Sequence, residues 1–321
     1  MKRSIRAVAL AMVLFFIIPQ PALAARLLVP GGQLVGLELR NDIVTVAAFD
    51  DSCPAARDAG LQIGDQILRV DGQAVSSAEE VRRILCSSGQ EVALTVLRGS
   101  KEITLKISPA VTGQEKRLGV YLRQGIAGVG TVTYYDPENS TFGTLGHGVS
   151  DNRGNLMILK SGQACAATAA SVKKGLCGDP GQIRGSASAE QVFGKLTKNT
   201  PQGVFGRCSQ RITGEPLPVA AYEDVIPGPA TIRSTVSGSS IREYSVEILK
   251  IYPENRTDCR NFLIQITDPE LLKTTGGIVQ GMSGSPIVQN GKLVGAVTHV
   301  LVNDPTRGYG IFIENMLDAA A

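Results

Sequence analysis

The sequence has no tryptophan, and the three aromatic residue types together make up only 5% of its 321 residues. It has only two histidines, His147 and His299, and its six cysteines include no CxxC pair. Zinc sites in proteins are built mainly from cysteine and histidine ligands. The sequence therefore predicts no metal site, and it predicts an activity that needs no cofactor.

A basic excess is also missing from most of the chain. The formal net charge is +3, and Lys2, Arg3 and Arg6 near the N-terminus account for all of it. The rest of the chain has a formal charge of 0, because each of these residues carries one positive charge. Proteins that bind nucleic acids usually present a concentrated positive surface. The sequence therefore predicts no binding of nucleic acid.

The N-terminus has the pattern of an export segment. Basic residues precede an apolar run from Ala7 to Ile18, and small residues follow it up to Ala24. The run from Ala7 to Ala25 is also just long enough for an uncleaved membrane anchor. We expect residues 1–25 to be a signal peptide or a membrane anchor, and the rest of the protein to be exported.

The cysteines are even in number, which permits disulfides in an exported protein. Their pairing cannot be read from the sequence. The residues concerned are Cys53, Cys86, Cys165, Cys177, Cys208 and Cys259.

Short runs in which valine, isoleucine and threonine alternate with other residues recur along the exported part, separated by glycine and proline. Such runs are typical of strands. Residues 27–109 combine several of them with one amphipathic helix, which begins at a capping box from Ser77 to Glu80. After a polar linker, residues 118–321 contain many strands and only short helices. We expect a mostly β protein with two domains, 27–109 and 118–321.

The first of these domains contains the stretch AGLQIGDQILRVDGQAV, from Ala59 to Val75. Its glycines and apolar residues resemble the core signature of PDZ domains, which bind extended peptides, often free C-termini, by adding a strand beside a helix. The resemblance implies that backbone N–H groups around Gly36 and Leu37, in LVGLEL, capture the terminal carboxylate. Glu38 departs from the glycine usual in that loop, which would weaken the capture. The alternative is a small β domain without a peptide ligand.

The second domain contains a serine-rich turn, QGMSGSP, over residues 280–286. A serine hydroxyl becomes a nucleophile only with a base in hydrogen-bond reach. His147 lies between two glycines in TFGTLGHGVSD, which predicts an exposed imidazole on a turn. His299 alternates with apolar residues in a strand, which favours a place in the wall of the site or in the barrel. We therefore predict that His147 is the base.

Within the serine-rich turn, the pattern G-x-S-G-x-P resembles the nucleophile turn of chymotrypsin-like serine proteases. In such turns the N–H groups of the serine and of the glycine two residues before it bind the oxyanion. Here these donors would be Gly281 and Ser283, so Ser283 is favoured as the nucleophile over Ser285. The histidine also precedes the serine, as in a double-barrel protease. The alternative is that the glycines form only a tight turn.

The third member of a catalytic triad is less well defined by the residues. A carboxylate that orients the histidine could come from Glu223, Asp224, Asp258 or Asp268. Asp268 follows an apolar strand and lies 15 residues before Ser283. In chymotrypsin-like enzymes the acid lies much farther upstream of the serine, so fold analogy alone does not select Asp268.

A closer resemblance covers nearly the whole exported part. The order of export segment, PDZ region, TFGTLGHGVSD, ITDPELL and GGIVQGMSGSPIVQNGKLVGAVTHV is similar to that of the SpoIVB peptidases, the stage IV sporulation serine proteases of endospore-forming bacteria. The resemblance implies His147 as the base, Asp268 as the orienting acid and Ser283 as the nucleophile. It also implies a chymotrypsin-like double β-barrel that follows the PDZ domain.

The same resemblance implies a signalling protease of sporulation. Members of the family act at the forespore membrane, in the space facing the mother cell, where they cleave themselves and a regulator of a membrane-embedded metalloprotease. This cleavage leads to late sigma-factor activation. We therefore expect protein substrates, including the protein's own N-terminal region, peptide C-termini at the PDZ domain, and a membrane contact through the N-terminal segment. The alternative is an exported PDZ adaptor whose protease-like domain is inactive.

Overall fold

The structure is a computed structural model that describes residues 26–113, 115–151, 154–253 and 258–321. The predicted signal peptide or membrane anchor lies outside these residues. No helix within them is long and apolar enough to cross a membrane. All six cysteines lie within them as free thiols.

Strands make up most of the regular structure. In chain order they are β1 (Leu27–Pro30), β2 (Leu34–Phe49), β3 (Gln66–Val70), β4 (Gln73–Ala74), β5 (Val92–Arg98), β6 (Lys101–Ile107), β7 (Ala110–Thr112), β8 (Glu115–Arg117), β9 (Val120–Asp136), β10 (Thr141–Thr144), β11 (Ser161–Lys173), β12 (Gln182–Thr200), β13 (Gly203–Cys208), β14 (Leu217–Pro218), β15 (Gly228–Ser234), β16 (Arg242–Ile251), β17 (Phe262–Ile266), β18 (Pro286–Gln289), β19 (Lys292–Leu301) and β20 (Asp304–Phe312). The helices are α1 (Ala55–Asp58), α2 (Ala78–Ser87), α3 (Pro269–Thr275) and α4 (Ile313–Ala320), with one 3-10 turn at Tyr222–Asp224.

The described strands form two main assemblies. Twelve of them make one sheet in the order β14-β1-β9-β10-β13-β12-β11-β2-β3-β5-β6, with β4 beside β3 and a further pairing of β9 with β2. Six close into a barrel in the order β15-β16-β17-β20-β19-β18, and β7 and β8 form a separate hairpin. This architecture confirms the predicted mostly β class, with a closed barrel in the second half of the predicted protease domain.

Two long strands, β2 and β9, each pair in both the small domain and the peptidase domain, although β2 falls wholly within the predicted range 27–109 and β9 wholly within 118–321. The first half of β2 pairs with β11, and its second half pairs with β3. Strand β9 begins in the small domain at Val120 and ends at Asp136, where it pairs with β1 and β10. The sheet of the small domain therefore continues into the protease domain.

Helix α2 covers the sheet of the small domain and begins where the sequence predicts. The Ser77 hydroxyl accepts a hydrogen bond from the N–H of Glu80 (3.1 Å), and the Glu80 carboxylate accepts one from the N–H of Ser76 (2.7 Å). The first of these bonds satisfies an N–H group that has no partner inside the helix. Val81 and Leu85 are buried in the core of the domain, which fixes the face that the helix turns inwards.

The barrel closes around an aliphatic and aromatic core. Phe262 of β17 and Phe312 of β20 are buried, with ring centroids 5.4 Å apart. Glycine makes room for these rings, since a Cβ at Gly310 would lie 2.3 Å from the Phe262 ring. This packing fixes the neighbouring strand β19, whose residues Thr298 to Val300 line a cleft between the barrel and the twelve-stranded sheet.

Candidate active site

A cleft of about 410 Å³ lies between the twelve-stranded sheet and the barrel. Ser283, His147 and His299 all line it. Ser283 lies in the turn before β18, His147 follows β10, and His299 is part of β19. The fold therefore brings the predicted nucleophile and the predicted base together from segments that are far apart in the chain.

The turn that carries Ser283 is held by Thr131 of β9. The Thr131 hydroxyl donates a hydrogen bond to the carbonyl of Gly281 (2.7 Å), and the Thr131 N–H donates one to the carbonyl of Ser283 (2.9 Å). Gly281 and Gly284 have φ angles of +101° and +93°, in a region that favours glycine. A Cβ at Gly284 would also lie 2.1 Å from the Thr131 carbonyl oxygen. Glycine is therefore required after the serine.

The same turn leaves two backbone donors unpaired. Among the described residues, no acceptor is bonded to the N–H group of Gly281 or to that of Ser283. Backbone donors beside a nucleophile are the components of an oxyanion hole. The two residues that the sequence predicts as oxyanion donors are thus free to bind a negatively charged oxygen.

The two serines of the turn have different surroundings. The Ser283 hydroxyl lies at the cleft and donates a hydrogen bond to the carbonyl of Thr298 (2.8 Å). The Ser285 hydroxyl is buried and donates to the Ser234 hydroxyl (3.1 Å). Of the two, only Ser283 can therefore reach a substrate in the cleft.

The His147 ring is oriented by its neighbour in the chain. Its Nδ1 lies 2.9 Å from the carbonyl oxygen of Gly148. Since a carbonyl oxygen can only accept, Nδ1 carries the hydrogen and donates it. The other ring nitrogen, Nε2, is then unprotonated in the neutral ring and can take a proton. The Gly148 carbonyl thus fixes the tautomer of the base, which is the task of the carboxylate in a catalytic triad.

The second histidine packs against the first. The ring centroids of His147 and His299 are 5.3 Å apart. Burial, assisted by the positive charges of His147 and Arg260, lowers the pKa of His299 to about 4, so this ring is neutral at pH 7. Its Nδ1 has no hydrogen-bond partner within the described part of the chain. His299 therefore lies in the wall of the site and makes no hydrogen bond through Nδ1 to the base.

The structure does not bring Asp268 to the histidine with which the family resemblance pairs it. Asp268 is the N-cap residue of α3, and its carboxylate accepts hydrogen bonds from the N–H groups of Leu271 (2.9 Å) and Ser245 (3.5 Å). It does not line the cleft that holds His147. The position has a physical explanation, because aspartate directly before a proline is a favourable start for a helix.

Of the other acids that the sequence leaves open, Asp258 acts on a histidine of the cleft. Its negative charge raises the pKa of His299, against the larger effect of burial. Asp224 instead forms an exposed ion pair with Lys292 (2.7 Å), and Glu223 belongs to the same 3-10 turn. Within the described ranges, no group of three or more histidine, cysteine, aspartate or glutamate residues is arranged to hold a metal ion.

Thr131→Val is expected to weaken the fold and the catalytic turn together. Valine keeps the shape of threonine but leaves the Gly281 carbonyl without its donor, at a cost of about 1–3 kcal/mol in the free energy of unfolding. Thr133→Val is the matched control on the same strand, because the Thr133 hydroxyl is buried without a partner among the described residues. Urea denaturation should show a loss for Thr131→Val and none for Thr133→Val. Equal losses would contradict the role given to Thr131.

The pH dependence of activity should reflect the base, which is half-buried where the sequence predicts an exposed imidazole. Burial lowers the pKa of His147 below the usual value of 6.5, although the hydrogen bond to Gly148 opposes this effect. Only the deprotonated ring can take a proton, so activity should be complete at pH 7 and should fall as the pH drops through the lowered pKa. The rate of covalent labelling by a fluorophosphonate, measured against pH, should be half-maximal below 6.5. A midpoint above pH 7 would overturn this description of the base.

The structure does not support a carboxylate-binding loop at Gly36 and Leu37. Both residues lie inside β2, where Gly36 pairs with Cys165 of β11 on one side and with Val129 of β9 on the other. The strand therefore has no open edge at which a peptide could add. Leu37 instead lines the cleft beside Ser283.

A different groove in the small domain has the features of a peptide site. It lies between helix α2 and the start of β9, has a volume of about 560 Å³, and is lined by Val81 and Leu85 among others. The N–H groups of Leu118 and Gly119, at the same groove, are bonded to no acceptor among the described residues. Consecutive backbone N–H groups of this kind can bind an anion. The sequence prediction missed Leu118 and Gly119 because they lie beyond the predicted small domain, at the start of the range 118–321.

Comparisons with known proteins identify both regions. The family model described as SpoIVB peptidase S55 matches residues 114–317, and that of the PDZ domain matches residues 32–108. A putative zinc metalloprotease of Vibrio cholerae is 32% identical over 145 residues, which are 45% of this chain and 30% of that protein. A probable periplasmic serine endoprotease, DegP-like, of Halomonas elongata is 40% identical over 65 residues, which are 20% of this chain and 14% of that protein. The chain spans less than a third of the length of these curated relatives.

Among solved structures, the active form of the Rv3671c protease from M. tuberculosis is 15% identical with a TM-score of 0.39, over 61% of this chain and 75% of that one. The PDZ domain of an SdrC-like protein from Listeria monocytogenes is 27% identical with a TM-score of 0.23, over 25% of this chain and 87% of that one. The assignment depends on the family models, which confirm the predicted order of a PDZ domain followed by a SpoIVB-type peptidase domain. Because the peptidase model covers more than half of the chain, the protein belongs to the SpoIVB peptidase S55 family, and a PDZ domain precedes its peptidase region.

Proposed function

We propose that this protein is an exported serine endopeptidase that acts through Ser283 and His147. The observation that carries the proposal is the meeting of these two residues in one cleft, beside the unpaired N–H groups of Gly281 and Ser283. A nucleophile, a base and two oxyanion donors are the groups that acyl transfer requires. Covalent labelling of Ser283 by a fluorophosphonate is the direct test.

The reaction begins when the Ser283 hydroxyl turns from the carbonyl of Thr298 towards Nε2 of His147. The histidine takes the proton as the serine oxygen attacks the carbonyl carbon of the peptide. The oxyanion accepts hydrogen bonds from the two free N–H groups, and each bond stabilises the transition state by about 3–4 kcal/mol. His147 then gives the proton to the leaving amine, and water hydrolyses the acyl-enzyme through the same groups.

The family resemblance implies Asp268 as the orienting acid, whereas the structure uses it as a helix cap, and two substitutions distinguish these roles. Asp268→Ala removes the cap of α3 and should lower the free energy of unfolding by about 1 kcal/mol, whereas Asp268→Asn keeps the cap and should change it by only a few tenths. Because asparagine carries no charge, the activity of Asp268→Asn reports the catalytic role alone. A fall of about 10,000-fold in kcat would support the acid. Turnover close to wild type would leave the Gly148 carbonyl as the orienting group.

We further propose that the enzyme acts in sporulation signalling, at the forespore membrane and in the space between forespore and mother cell. Membership of the SpoIVB family supports this role. The substrates are then the protein's own N-terminal region and a regulator of a membrane-embedded metalloprotease, whose cleavage activates a late sigma factor.

Complementation tests the sporulation role. An endospore-forming strain that lacks its own family member should regain the activity of a late sigma-factor reporter with the wild-type gene, and should not regain it with the Ser283→Ala variant. Equal reporter activity with both genes would overturn a proteolytic signal. No recovery with a wild-type protein that still reacts with a fluorophosphonate would overturn the sporulation role and leave the peptidase activity standing.

A second function, peptide binding, is supported by the groove between α2 and β9. The free N–H groups of Leu118 and Gly119 suit a C-terminal carboxylate, and Val81 and Leu85 suit an apolar last side chain. Fluorescence anisotropy with labelled peptides that end in valine tests this site. The same peptides with an amidated C-terminus should bind at least about tenfold more weakly, because the amide carries no charge for the N–H groups. Equal affinity would exclude carboxylate capture.

A further inference from the structure

The rings of His147 and His299 lie close together at the cleft, with their centroids 5.3 Å apart. In a tetrahedral zinc site, a metal–nitrogen bond of about 2.0–2.1 Å places the metal about 3 Å from the centre of each imidazole, so the centres of two rings on one ion are about 5 Å apart. The separation of the two histidines therefore suits two imidazoles that bind one metal ion.

The tautomer of His147 leaves one ring nitrogen free to bind a metal. Its Nδ1 donates a hydrogen bond to the carbonyl of Gly148 (2.9 Å), so Nε2 carries a lone pair. Histidines that bind metals usually donate their other ring N–H to a backbone carbonyl or a carboxylate, which orients the ring. His147 therefore has the arrangement of a metal ligand as well as that of a base.

His299 offers a second nitrogen that the fold leaves without a partner. Its Nδ1 is buried and forms no hydrogen bond within the described part of the chain. Buried polar atoms are normally hydrogen-bonded, and an unpaired one carries a free-energy cost. A metal ion on this nitrogen would supply the missing partner.

The other residues of the cleft limit the kind of ion and the strength of binding. Among the described residues that line it, there is no cysteine, aspartate or glutamate. The two histidines are then the only strong ligands, and water or the Ser283 hydroxyl fills the remaining positions. Mg²⁺ and Ca²⁺ prefer several oxygen ligands, whereas imidazole suits zinc. The site therefore favours Zn²⁺ that binds weakly and reversibly.

We propose that His147 and His299 together bind Zn²⁺, and that this ion inhibits the peptidase. The sequence predicts no metal site, because the chain has only two histidines and no CxxC pair, but the fold brings both histidines to one cleft. A metal on Nε2 of His147 occupies the lone pair that must take the proton of Ser283. The zinc-bound enzyme therefore cannot activate its serine. The inhibition rests on the proposed peptidase function, whereas the binding of zinc does not.

A zinc titration of fluorophosphonate labelling tests the inhibition. Labelling of the wild-type protein should slow as Zn²⁺ is added, with a half-inhibitory concentration of about 1–100 µM, because two protein ligands bind zinc more weakly than the four of a structural site. Excess EDTA should restore the rate, and Mg²⁺ at the same concentrations should have no effect. A labelling rate that zinc does not change over this range would overturn the inhibition and leave the peptidase standing.

A variant and a matched control locate the ion. His299→Gln, compared with its own rate in EDTA, should have a half-inhibitory concentration at least about tenfold higher than the wild type, since even the loss of a group that hydrogen-bonds a metal ligand lowers affinity by about 10–100-fold. The control is the double variant Cys86→Ser and Cys177→Ser, which removes two exposed thiols that also bind zinc but do not line the cleft. It should keep the wild-type value. Equal values for His299→Gln and the wild type, or a loss of inhibition in the thiol variant, would overturn the placement.

Zinc binding can also be measured without activity. The Ser283→Ala variant keeps both histidines, and competition with a coloured zinc indicator counts the ions that it binds. Adding His299→Gln to this variant should remove one bound ion, and equal numbers would overturn the site. If the wild-type protein is not labelled even in EDTA, the peptidase and its inhibition are both overturned, and the indicator still decides whether the two histidines bind zinc.

Discussion

Ser283→Ala is expected to abolish peptidase activity, with a loss of about a million-fold in kcat, and to leave the fold intact. The substitution removes the nucleophile but only one hydrogen bond, to the carbonyl of Thr298. At a half-buried position, this loss should lower the free energy of unfolding by no more than about 1 kcal/mol. The measurement is labelling by a fluorophosphonate, on protein whose thermal unfolding has first been compared with that of the wild type.

Ser285→Ala is the matched control two residues along the same turn. Its hydroxyl is buried and bonded to that of Ser234, so its loss should reduce stability by about 1 kcal/mol and leave labelling in place. Labelling that disappears in Ser285→Ala and persists in Ser283→Ala would reassign the nucleophile. A wild-type protein that behaves like Ser283→Ala would favour the exported PDZ adaptor instead.

His147→Ala is expected to cost nearly as much as the loss of the serine, about a million-fold in kcat, because a nucleophile and its base act as one unit. For the same reason, combining His147→Ala with Ser283→Ala should remove no more activity than either substitution alone. The rate of labelling measures the effect of His147→Ala directly, since a serine hydroxyl without a base is a weak nucleophile, and the rate of peptide hydrolysis compares the double variant with the two single variants. Losses that multiplied in the double variant would show that the two residues do not share a step.

His299→Gln distinguishes the base from its neighbour in the wall. Glutamine is polar but cannot act as a base near neutral pH. We expect labelling to slow by about tenfold or less, equivalent to ~1.4 kcal/mol, because His299 packs on His147 and its Nδ1 bonds to no group in the described ranges. Labelling that is lost in His299→Gln and kept in His147→Ala would exchange the two roles.

The presence of Ser283 and His147 at one cleft could be predicted because each stands in a short motif bounded by glycines. A serine nucleophile also needs a base, and the chain has only two histidines that could serve as one. The contact that holds the catalytic turn could not be predicted. Thr131 and Gly281 are 150 residues apart in the chain, and they meet only through the packing of the sheet against the barrel. A local pattern of residues does not specify which distant segments pack together.

Elsewhere, one residue pattern was compatible with two physical roles. The aspartate in ITDPELL ends a strand, as an inward-facing acid would, but it also precedes a proline at a helix start, and the structure uses Asp268 as that cap. The stretch LVGLEL has the composition of a peptide-binding strand, yet Gly36 lies between two paired strands. The signal for the cap was present in the sequence. The order of strands in the sheet had no such local signal.

Strand β9 connects the groove of the small domain to the nucleophile turn and sets the distance between them. From Val120, at the groove, to Thr131, at the turn, the strand advances by eleven residues, which is about 36 Å when fully extended. A substrate that docks by its C-terminus must span a comparable length before one of its bonds reaches Ser283. If a substrate docks in the groove by its C-terminus, the number of residues between the cleaved bond and that C-terminus must be large enough to cover this distance. Proteins with a shorter C-terminal segment would not be cleaved, whatever their sequence.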